Sequence, residues 1–326
     1  MGDETLRDKR TRLGVGPTSP KSKPPQLEIG AIVLERYKVE ELIGAGAMGS
    51  VYRARHTKLD RSVALKVMHE HLTCEPNLVA RFQREAQVAA KLAHPNVCAV
   101  LDVGETEDQK HVMVLELVEG KSLDDLMEHR LELSRIVRLV THLLRGLDHA
   151  HASGLVHRDL KPANVLVEHP GHADEVARIV DFGVATLVDR EEHERLTGTG
   201  MIVGTPLYMA PEQARAEPVD HRADLYALGI MLYELLSGTA PFEGTAMEVA
   251  VAKMDKDPPP ITERAEVDPI LAAFLGKLIA RHPNQRFSTA HEALTAIETY
   301  RRDPDAAGTL LGVIDTARAL KVITLP

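Results

Sequence analysis

The periodicity of the apolar residues changes near residue 120, and this change most limits what the chain can fold into. Short runs with alternating side chains, interrupted by one helical stretch, dominate residues 37–120, whereas runs with a helical repeat fill most of the rest. Strands followed by helices are typical of an α+β architecture. At 326 residues the chain is long enough for two structural units or one large two-lobed domain. We therefore expect a small antiparallel sheet lobe with one helix, followed by a larger, mainly helical lobe.

The first part of the chain contains four predicted strands. Residues 39–43 lead into a glycine-rich stretch, and residues 50–54 return with alternating side chains, as in a hairpin. A third strand covers residues 63–68, and a fourth lies around residues 112–115. Successive side chains of a strand face opposite sides of its sheet. In the third strand, one side is expected to carry Val63, Leu65 and Val67, and the other Ala64, Lys66 and Met68.

Three helices are indicated by the spacing of apolar residues. The first runs from Pro76 to Ala93, with Glu85 beside its inward stripe. The second lies between Asp220 and Gly238 and is apolar on nearly every face, so we expect it to be buried on all sides. A capping box at Thr289 begins a final helix that ends at about Arg301. The inward stripe of the first helix is predicted to be Phe82, Ala86, Ala89 and Ala93.

Composition and charge exclude several classes of function. Hydrophobic residues make up 44% of the chain and charged residues 27%, close to the averages of globular proteins. Aromatic residues are only 3%, which argues against binding by base or sugar stacking. The net charge is −9, and residues 121–326 hold 22 basic and 31 acidic side chains. Nucleic acids and anionic membranes need clustered basic residues, so neither is an expected partner.

Cysteine usage and hydropathy favour a cytoplasmic location. Cys74 and Cys98 are the only cysteines, too few for a disulfide scaffold, which is consistent with a reducing compartment. Neither the apolar run of a signal peptide nor a membrane segment of ~18 apolar residues is present in the sequence. Residues 1–36 are rich in proline, glycine and charge, and we expect a flexible leader there and a C-terminal tail over residues 302–326.

The glycine-rich stretch from Gly44 to Gly49 is weak evidence alone, but the strand that follows it is informative. A Rossmann motif would run into a helix, and a Walker loop would end in Gly-Lys-Ser/Thr. A strand–glycine–strand hairpin can instead fold over phosphate groups, because backbone N–H groups approach closely where no Cβ intervenes.

Lys66 and Glu85 are both expected on inward-facing positions, where an unpaired charge would be costly. Each can supply the charge that the other lacks. A purely structural salt bridge explains the pair adequately. Beside a phosphate-binding hairpin, a lysine shared between a carboxylate and phosphate oxygens is the better explanation.

A second polar cluster follows at His157-Arg158-Asp159-Leu160-Lys161-Pro162-Ala163-Asn164 and at Asp181-Phe182-Gly183. Asp159 can accept a hydroxyl proton, and Lys161 can neutralise a moving phosphoryl group. Asn164 and Asp181 supply the oxygen ligands that suit Mg²⁺. The pairs His149/His151 and His69/His71 have metal-compatible spacing, but they lack evident acidic or cysteine partners and are not expected to bind metal.

Together these motifs resemble those of the protein kinase family, over residues 37–301. The resemblance implies a two-lobed kinase fold with a smaller lobe at about 37–118 and a larger one at about 119–301. The matching motifs are the glycine-rich loop at 44–51, the lysine strand at 63–66, Glu85, the catalytic loop at 157–164, the metal motif at 181–183 and Ala210-Pro211-Glu212. The catalytic loop and residues 204–212 are similar to serine/threonine kinases of the bacterial eukaryotic-like (Hanks-type) branch.

The resemblance also implies roles for individual residues. The catalytic set is Asp159, Lys161, Asn164 and Thr205, with Asn164 and Asp181 as metal ligands. The nucleotide-binding set is Ile43, Gly44, Ala45, Gly46, Ala47, Met48, Gly49, Val51, Ala64, Lys66, Glu85, Glu116, Val118, Leu166 and Asp181. Leu115 would be the gatekeeper. Ser122 departs from the acidic residue that many kinases place at the ribose. Glu212 should pair with Arg286, and Asp224 should hold the catalytic-loop backbone.

The expected activity is transfer of the γ-phosphoryl group of ATP to serine and threonine hydroxyls of proteins, with Mg²⁺ or alternatively Mn²⁺. Arg158 beside Asp159 predicts regulation by autophosphorylation, because its guanidinium needs an anion, and Thr197 and Thr199 are the candidate acceptors. The resemblance admits a homodimer. Two alternatives stay open: a pseudokinase-type binding scaffold, and a small-molecule kinase on a related fold.

Overall fold

The computed structural model of the chain describes residues 27–46, 49–69, 86–182 and 206–313. The expected segregation into a sheet lobe and a helical lobe is confirmed. None of the helices within the described residues is long and apolar enough to cross a membrane.

The smaller lobe is built on a six-stranded antiparallel sheet with the order β1-β2-β3-β4-β6-β5. Its strands are β1 (Ile32–Val33), β2 (Tyr37–Ala45), β3 (Gly49–His56), β4 (Arg61–Met68), β5 (Val100–Glu105) and β6 (His111–Glu116). The alternation predicted for β4 is correct, because Val63, Leu65 and Val67 join a core within this lobe. Ala64 and Met68 face the main core of the molecule, and Lys66 shares their side of the sheet.

The sheet begins earlier than the sequence predicts. Residues 27–36, expected in the flexible leader, pack against the sheet: β1 pairs with β2, and the buried Leu27 donates its N–H to Tyr52 Oη at 3.2 Å. Leu27 and Val33 supply the apolar anchors. A strand of two residues, Ile32–Val33, is too short for an alternating pattern to predict it.

The helix of the smaller lobe is described only near its end. Residues 86–89 are helical, and Ala86 and Ala89 are buried as predicted. Ala93 is exposed, however, and Leu92 is buried in its place. The last turn tightens, with Leu92 donating its N–H to the Ala89 carbonyl, and this rotates Leu92 inward.

The larger lobe consists of helices around a small three-stranded sheet. The helices are α1 (Leu123–Leu126), α2 (Leu133–Ala152), α3 (Pro211–Ala214), α4 (Arg222–Ser237), α5 (Ala246–Asp255), α6 (Pro269–Leu278), α7 (Ala290–Arg302) and α8 (Pro304–Leu310). The sheet pairs β7 (Gly120–Ser122) with β8 (Val165–Glu168) and β8 with β9 (Val176–Ile179). Short 3₁₀ turns lie at Pro162–Asn164, Ile261–Glu263 and Pro283–Gln285.

The two predicted helices of this lobe are present. In α4 every residue from Ala223 to Leu236 is buried, and Gly238 ends the helix with a φ of 75°. At the start of α7, the Thr289 hydroxyl accepts the Glu292 N–H at 3.1 Å, while the Glu292 carboxylate accepts the Ser288 N–H instead of closing the predicted reciprocal box. The tail is helical at first, because α8 packs on α7 and buries Ala307.

Close packing of α4 against the end of α6 gives a test of the fold. A Cβ on Gly229 would lie 2.5 Å from Ile279 Cγ2 and 2.8 Å from Leu278 Cβ. We expect Gly229→Ala to lower the free energy of unfolding by about 1–3 kcal/mol, measured by urea denaturation, because the core would be overpacked.

Gly276→Ala in α6 is the matched control. Nothing lies within 4 Å of the added Cβ. The control should stabilise the protein by about 0.5–1 kcal/mol, because alanine is the better helix former. Equal stabilisation by both substitutions would contradict the packing seen around α4.

Candidate active site

An ion pair across the cleft joins the two lobes. Lys66, on β4, is 8% exposed, and its Nζ lies 2.9 Å from Asp181 Oδ1. Asp181 follows β9 and takes the left-handed conformation, with a φ of 63°. Burial would raise the pKa of the Asp181 carboxyl, but the charge and the hydrogen bond of Lys66 more than offset this and bring its pKa below the usual range. Asp181 is therefore a carboxylate at neutral pH.

The predicted catalytic residues that the structure describes lie together beside this pair. Lys161 Nζ is 2.6 Å from Asp159 Oδ2, and Asn164 Nδ2 donates to the Asp159 carbonyl at 2.8 Å. The 3₁₀ turn at Pro162–Asn164 makes this short return of the chain possible. Since the Asn164 amide nitrogen holds the loop, its oxygen is the atom that can accept a cation.

The loop that carries Asp159 is held from beneath by a buried carboxylate. Asp224, on α4, accepts the N–H groups of His157 and Arg158, each at 2.8 Å, as predicted. His151 Nε2 lies 2.8 Å from the same carboxylate. Burial would raise the pKa of Asp224, but these partners bring it below its usual range. The contact of His151, one of the histidines considered as a metal pair, was not predicted.

Residues 207–213 are fixed by three buried side chains, and the kinase resemblance places the end of the activation segment here, at Ala210-Pro211-Glu212. Arg286 pairs with Glu212 at 2.7 and 2.8 Å, as predicted. Lys253, on α5, is 1% exposed and donates to the carbonyls of Leu207 and Met209 at 2.5 and 2.8 Å. Gln213, on α3, is also buried. Sequence reasoning missed Lys253 and Gln213, and the only signal for Lys253 was a lone cation in the apolar run Ala-Val-Ala-Lys-Met.

The hairpin of β2 and β3 brings backbone close to the cleft. Gly49 sits where a Cβ would lie 2.1 Å from the Val67 carbonyl oxygen, so no other residue fits. Gly46 donates its N–H to the Gly49 carbonyl at 2.9 Å and accepts a bond at 2.9 Å from the His69 ring, a contact that was not predicted. Ile43, Gly44 and Ala45 belong to β2, and Val51 faces Lys66 across β3 and β4.

Four residues of the predicted nucleotide-binding set, Ala64, Glu116, Val118 and Leu166, lie on or beside the strands where the two lobes meet. Ala64 pairs with Leu115 across β4 and β6, Leu166 lies on β8, and Val118 precedes β7. The Glu116 N–H is already donated to the Ala99 carbonyl at 2.9 Å, so only the Glu116 carbonyl can serve a ligand. That carbonyl also accepts a weak bond from the Cys98 thiol, whose pKa is raised by burial to about 12.

Ser122, at the position where the resemblance places a ribose contact, is the N-cap residue of α1. Its hydroxyl accepts the Asp125 N–H at 3.0 Å and thereby caps α1. Its Oγ also donates to the Asp125 carboxylate at 2.7 Å. The acidic side chain that contacts Ser122 is therefore that of Asp125.

Several predicted residues lie outside the described ranges. They are Ala47, Met48, Glu85, Thr197, Thr199 and Thr205. The proposed Lys66–Glu85 pair and the two phosphorylation sites therefore stay predictions. Within the described residues, no group of three or more histidine, cysteine, aspartate or glutamate side chains could hold a metal ion by itself.

Known proteins are similar to this chain in sequence. The chain matches the protein kinase domain family over residues 37–296. It is 39% identical over 289 residues to serine/threonine-protein kinase pkn3 of Myxococcus xanthus, covering 86% of this chain and 53% of that protein. It is 37% identical over 265 residues to serine/threonine-protein kinase PknB of Mycobacterium tuberculosis, covering 79% of this chain and 42% of that protein.

Structural similarity agrees with these matches. The crystal structure of the Mycobacterium tuberculosis PknI kinase domain superposes with a TM-score of 0.66 at 29% identity, covering 83% of this chain and 98% of that domain. The two-lobed fold and its charged cleft agree with the match to the protein kinase domain family. The chain belongs to the protein kinase family, in its bacterial Hanks-type serine/threonine branch. It spans about half the length of the curated relatives it matches.

The buried Lys253 gives a pH-dependent test. Burial, followed by the charge of Arg286, lowers the pKa of this amine well below its usual value. Between that lowered pKa and the ordinary lysine value of about 10.4, the unfolded chain binds more protons than the folded one, so stability rises with pH. We expect wild-type protein to gain up to about 1.4 kcal/mol per pH unit relative to Lys253→Met in this window.

Urea denaturation at pH 8 and at pH 9.5 measures this difference, because the other titrating groups cancel between the two proteins. Lys91→Met, at an exposed position, controls for the loss of one charge. Parallel stability curves for wild type and Lys253→Met would contradict the expectation.

Proposed function

We propose that the chain is an active protein serine/threonine kinase that transfers the γ-phosphoryl group of ATP to protein hydroxyls. The observation that carries the proposal is the ion pair of Lys66 with Asp181 at 2.9 Å, beside the pair of Lys161 with Asp159 at 2.6 Å. Two cations and two carboxylates therefore lie in one cleft. Such a cleft suits a reaction in which catalysis is mainly positioning and charge stabilisation.

The residues at the cleft fit ATP and a divalent cation. At Gly49 the chain allows no side chain, and the hairpin carries the backbone N–H groups that phosphates need. Lys66 supplies a buried cation for phosphate oxygens, while Asn164 and Asp181 would hold the ion. Mg²⁺, or Mn²⁺ in its place, neutralises charge on the phosphate oxygens when it is bound. Since these two ligands are too few for a complete site, phosphate oxygens and water would supply the others.

Asp159 and Lys161 carry the proposed chemistry. Asp159 accepts the proton of the acceptor hydroxyl and orients that hydroxyl for attack. Lys161 lies close enough to Asp159 to balance its charge and to stabilise the transferring phosphoryl group. Thr205 belongs to the same proposal, because the resemblance gives it a hydrogen bond near these two residues.

Proteins, including other copies of this chain, are the proposed substrates. The matched relatives are named serine/threonine-protein kinases, and this supports a polypeptide acceptor over a small molecule. The residues at the end of the activation segment are fixed by buried contacts, as a docking platform for a polypeptide requires. A homodimer and a cytoplasmic location of this domain are also part of the proposal, and the scarcity of cysteine supports the location.

A binding scaffold without activity is the main alternative. The presence of Lys66, Asp159, Asn164 and Asp181 favours an enzyme, because scaffolds of this family usually lack one of these groups. Asp159→Asn separates the two functions. Transfer of radiolabelled phosphate from ATP to the protein itself or to a generic protein substrate should fall at least about 100-fold, since the proton acceptor is lost.

The control for this variant is Asp305→Asn, the same change on the exposed surface of α8. It should leave transfer unchanged. ATP binding by Asp159→Asn, measured by calorimetry, should persist and so exclude misfolding. A wild-type protein that binds ATP but transfers no phosphate would overturn the proposed activity in favour of the scaffold.

Regulation by autophosphorylation has its own test. Arg158 Nε is buried without a hydrogen-bond partner among the described residues, which supports a guanidinium awaiting an anion. We expect the Thr197→Ala/Thr199→Ala double variant to lose at least about 10-fold in activity, because no phosphate can then pair with Arg158. Full activity of the double variant would contradict regulation through these two threonines. Phosphate mapped by mass spectrometry to other sites only would contradict it as well.

A further inference from the structure

We propose that Gln213 is a positioning residue, which orients Asp159 by holding the peptide bond that precedes it. The inference rests on the proposed kinase activity. Gln213 is 8% exposed, and its Nε2 donates to the Arg158 carbonyl at 2.8 Å. That carbonyl belongs to the peptide group between Arg158 and Asp159, so its direction influences where the Asp159 side chain points.

The Gln213 amide is itself held in a single orientation. Its Oε1 accepts the Ala210 N–H at 3.0 Å, at the start of α3. With the oxygen facing an N–H and the nitrogen facing a carbonyl, both bonds are satisfied, whereas a flipped amide would lose both. Gln213 therefore acts as a rigid bridge from the beginning of α3 to the catalytic loop.

The backbone that Gln213 holds is strained. Arg158 has a φ of 64°, a left-handed conformation that is unfavourable for a residue with a side chain. Asp224 Oδ1 fixes its N–H at 2.8 Å, and Gln213 fixes its carbonyl at 2.8 Å. The peptide groups on both sides of Arg158 are thus clamped. Without Gln213, the carbonyl of the second group loses its buried partner, and the longer bond from the Asp159 N–H to His157 Nδ1, at 3.3 Å, is left to hold that peptide group.

The neighbouring Glu212 has a different connection. Its partner Arg286 also donates to the carbonyls of Arg222, Ala280 and Arg281, which lie at the start of α4 and just beyond α6. Glu212 therefore anchors α3 to the helical core, while Gln213 connects α3 to the residue before Asp159. The two adjacent side chains of one short helix divide these tasks.

Gln213→Glu is the sharpest test, because it keeps the acceptor for the Ala210 N–H and removes only the donor to the Arg158 carbonyl. Two acceptors then face each other at hydrogen-bond distance. We expect kcat to fall about 10- to 100-fold, as for a displaced catalytic group, with less than about a twofold change in the KM for ATP. Glu217→Gln, an exchange of the same two groups at an exposed neighbouring position, should change nothing.

A double-mutant cycle separates positioning from general stability. If Gln213 acts through Asp159, Gln213→Glu should have little further effect on the residual rate of Asp159→Asn. If the fold-losses in rate of the two single variants multiply in the double variant, the inference is overturned. A wild-type kcat in Gln213→Glu would also overturn it. If Gln213→Glu lowers the melting temperature too far, Gln213→Met, which removes both bonds at similar volume, replaces it in the cycle.

The same experiment keeps the two proposals apart. The proposed function is contradicted if the wild-type protein transfers no phosphate, or if Asp159→Asn transfers as much phosphate as wild type. An active wild type that is sensitive to Asp159→Asn but insensitive to Gln213→Glu contradicts the role of Gln213 alone.

Discussion

A single buried carboxylate, that of Asp224, determines the arrangement of the catalytic loop. A fully buried charge is costly unless its oxygens are used, and Asp224 uses them on two backbone N–H groups and one histidine ring. Those N–H groups belong to His157 and Arg158, so satisfying the charge forces the chain into the left-handed turn just before Asp159. Because α4 is buried on every face, this anchor cannot shift without disturbing the core of the larger lobe.

The same principle organises residues 207–213, where polar side chains enter the apolar interior and hold backbone groups. Lys253 donates to two carbonyls, and Arg286 donates to one carboxylate and three carbonyls. Gln213 donates to one carbonyl and accepts one N–H. The Tyr226 ring lies close to both of the first two side chains, 5.1 Å from Lys253 Nζ and 4.8 Å from Arg286 Cζ. Residues 207–210, which have no regular structure, and the short α3 that follows them are thereby held in place by the surrounding core.

Much of this fold follows from sequence patterns, and the exceptions have physical reasons. The alternation in β4 and the all-apolar α4 are local signals, and both were correct. Family resemblance supplied the long-range pair of Glu212 with Arg286 and the role of Asp224. Lys253 and Gln213 were missed because they donate to backbone carbonyls dozens of residues away. Every residue has a backbone carbonyl, so no residue type in the sequence indicates such an acceptor. The exposed Ala93 shows the limit of spacing rules where a helix ends in a tighter turn.

The ion pair of Lys66 with Asp181 links the affinities of the cleft for two oppositely charged ligands. In the described structure each of these groups neutralises the other. An anion that draws Lys66 to itself leaves the Asp181 charge unbalanced, so a cation is attracted more strongly. By thermodynamic reciprocity, a cation on Asp181 strengthens the binding of the anion by the same factor. The cleft thus binds the anion and the cation together more tightly than it binds either one alone.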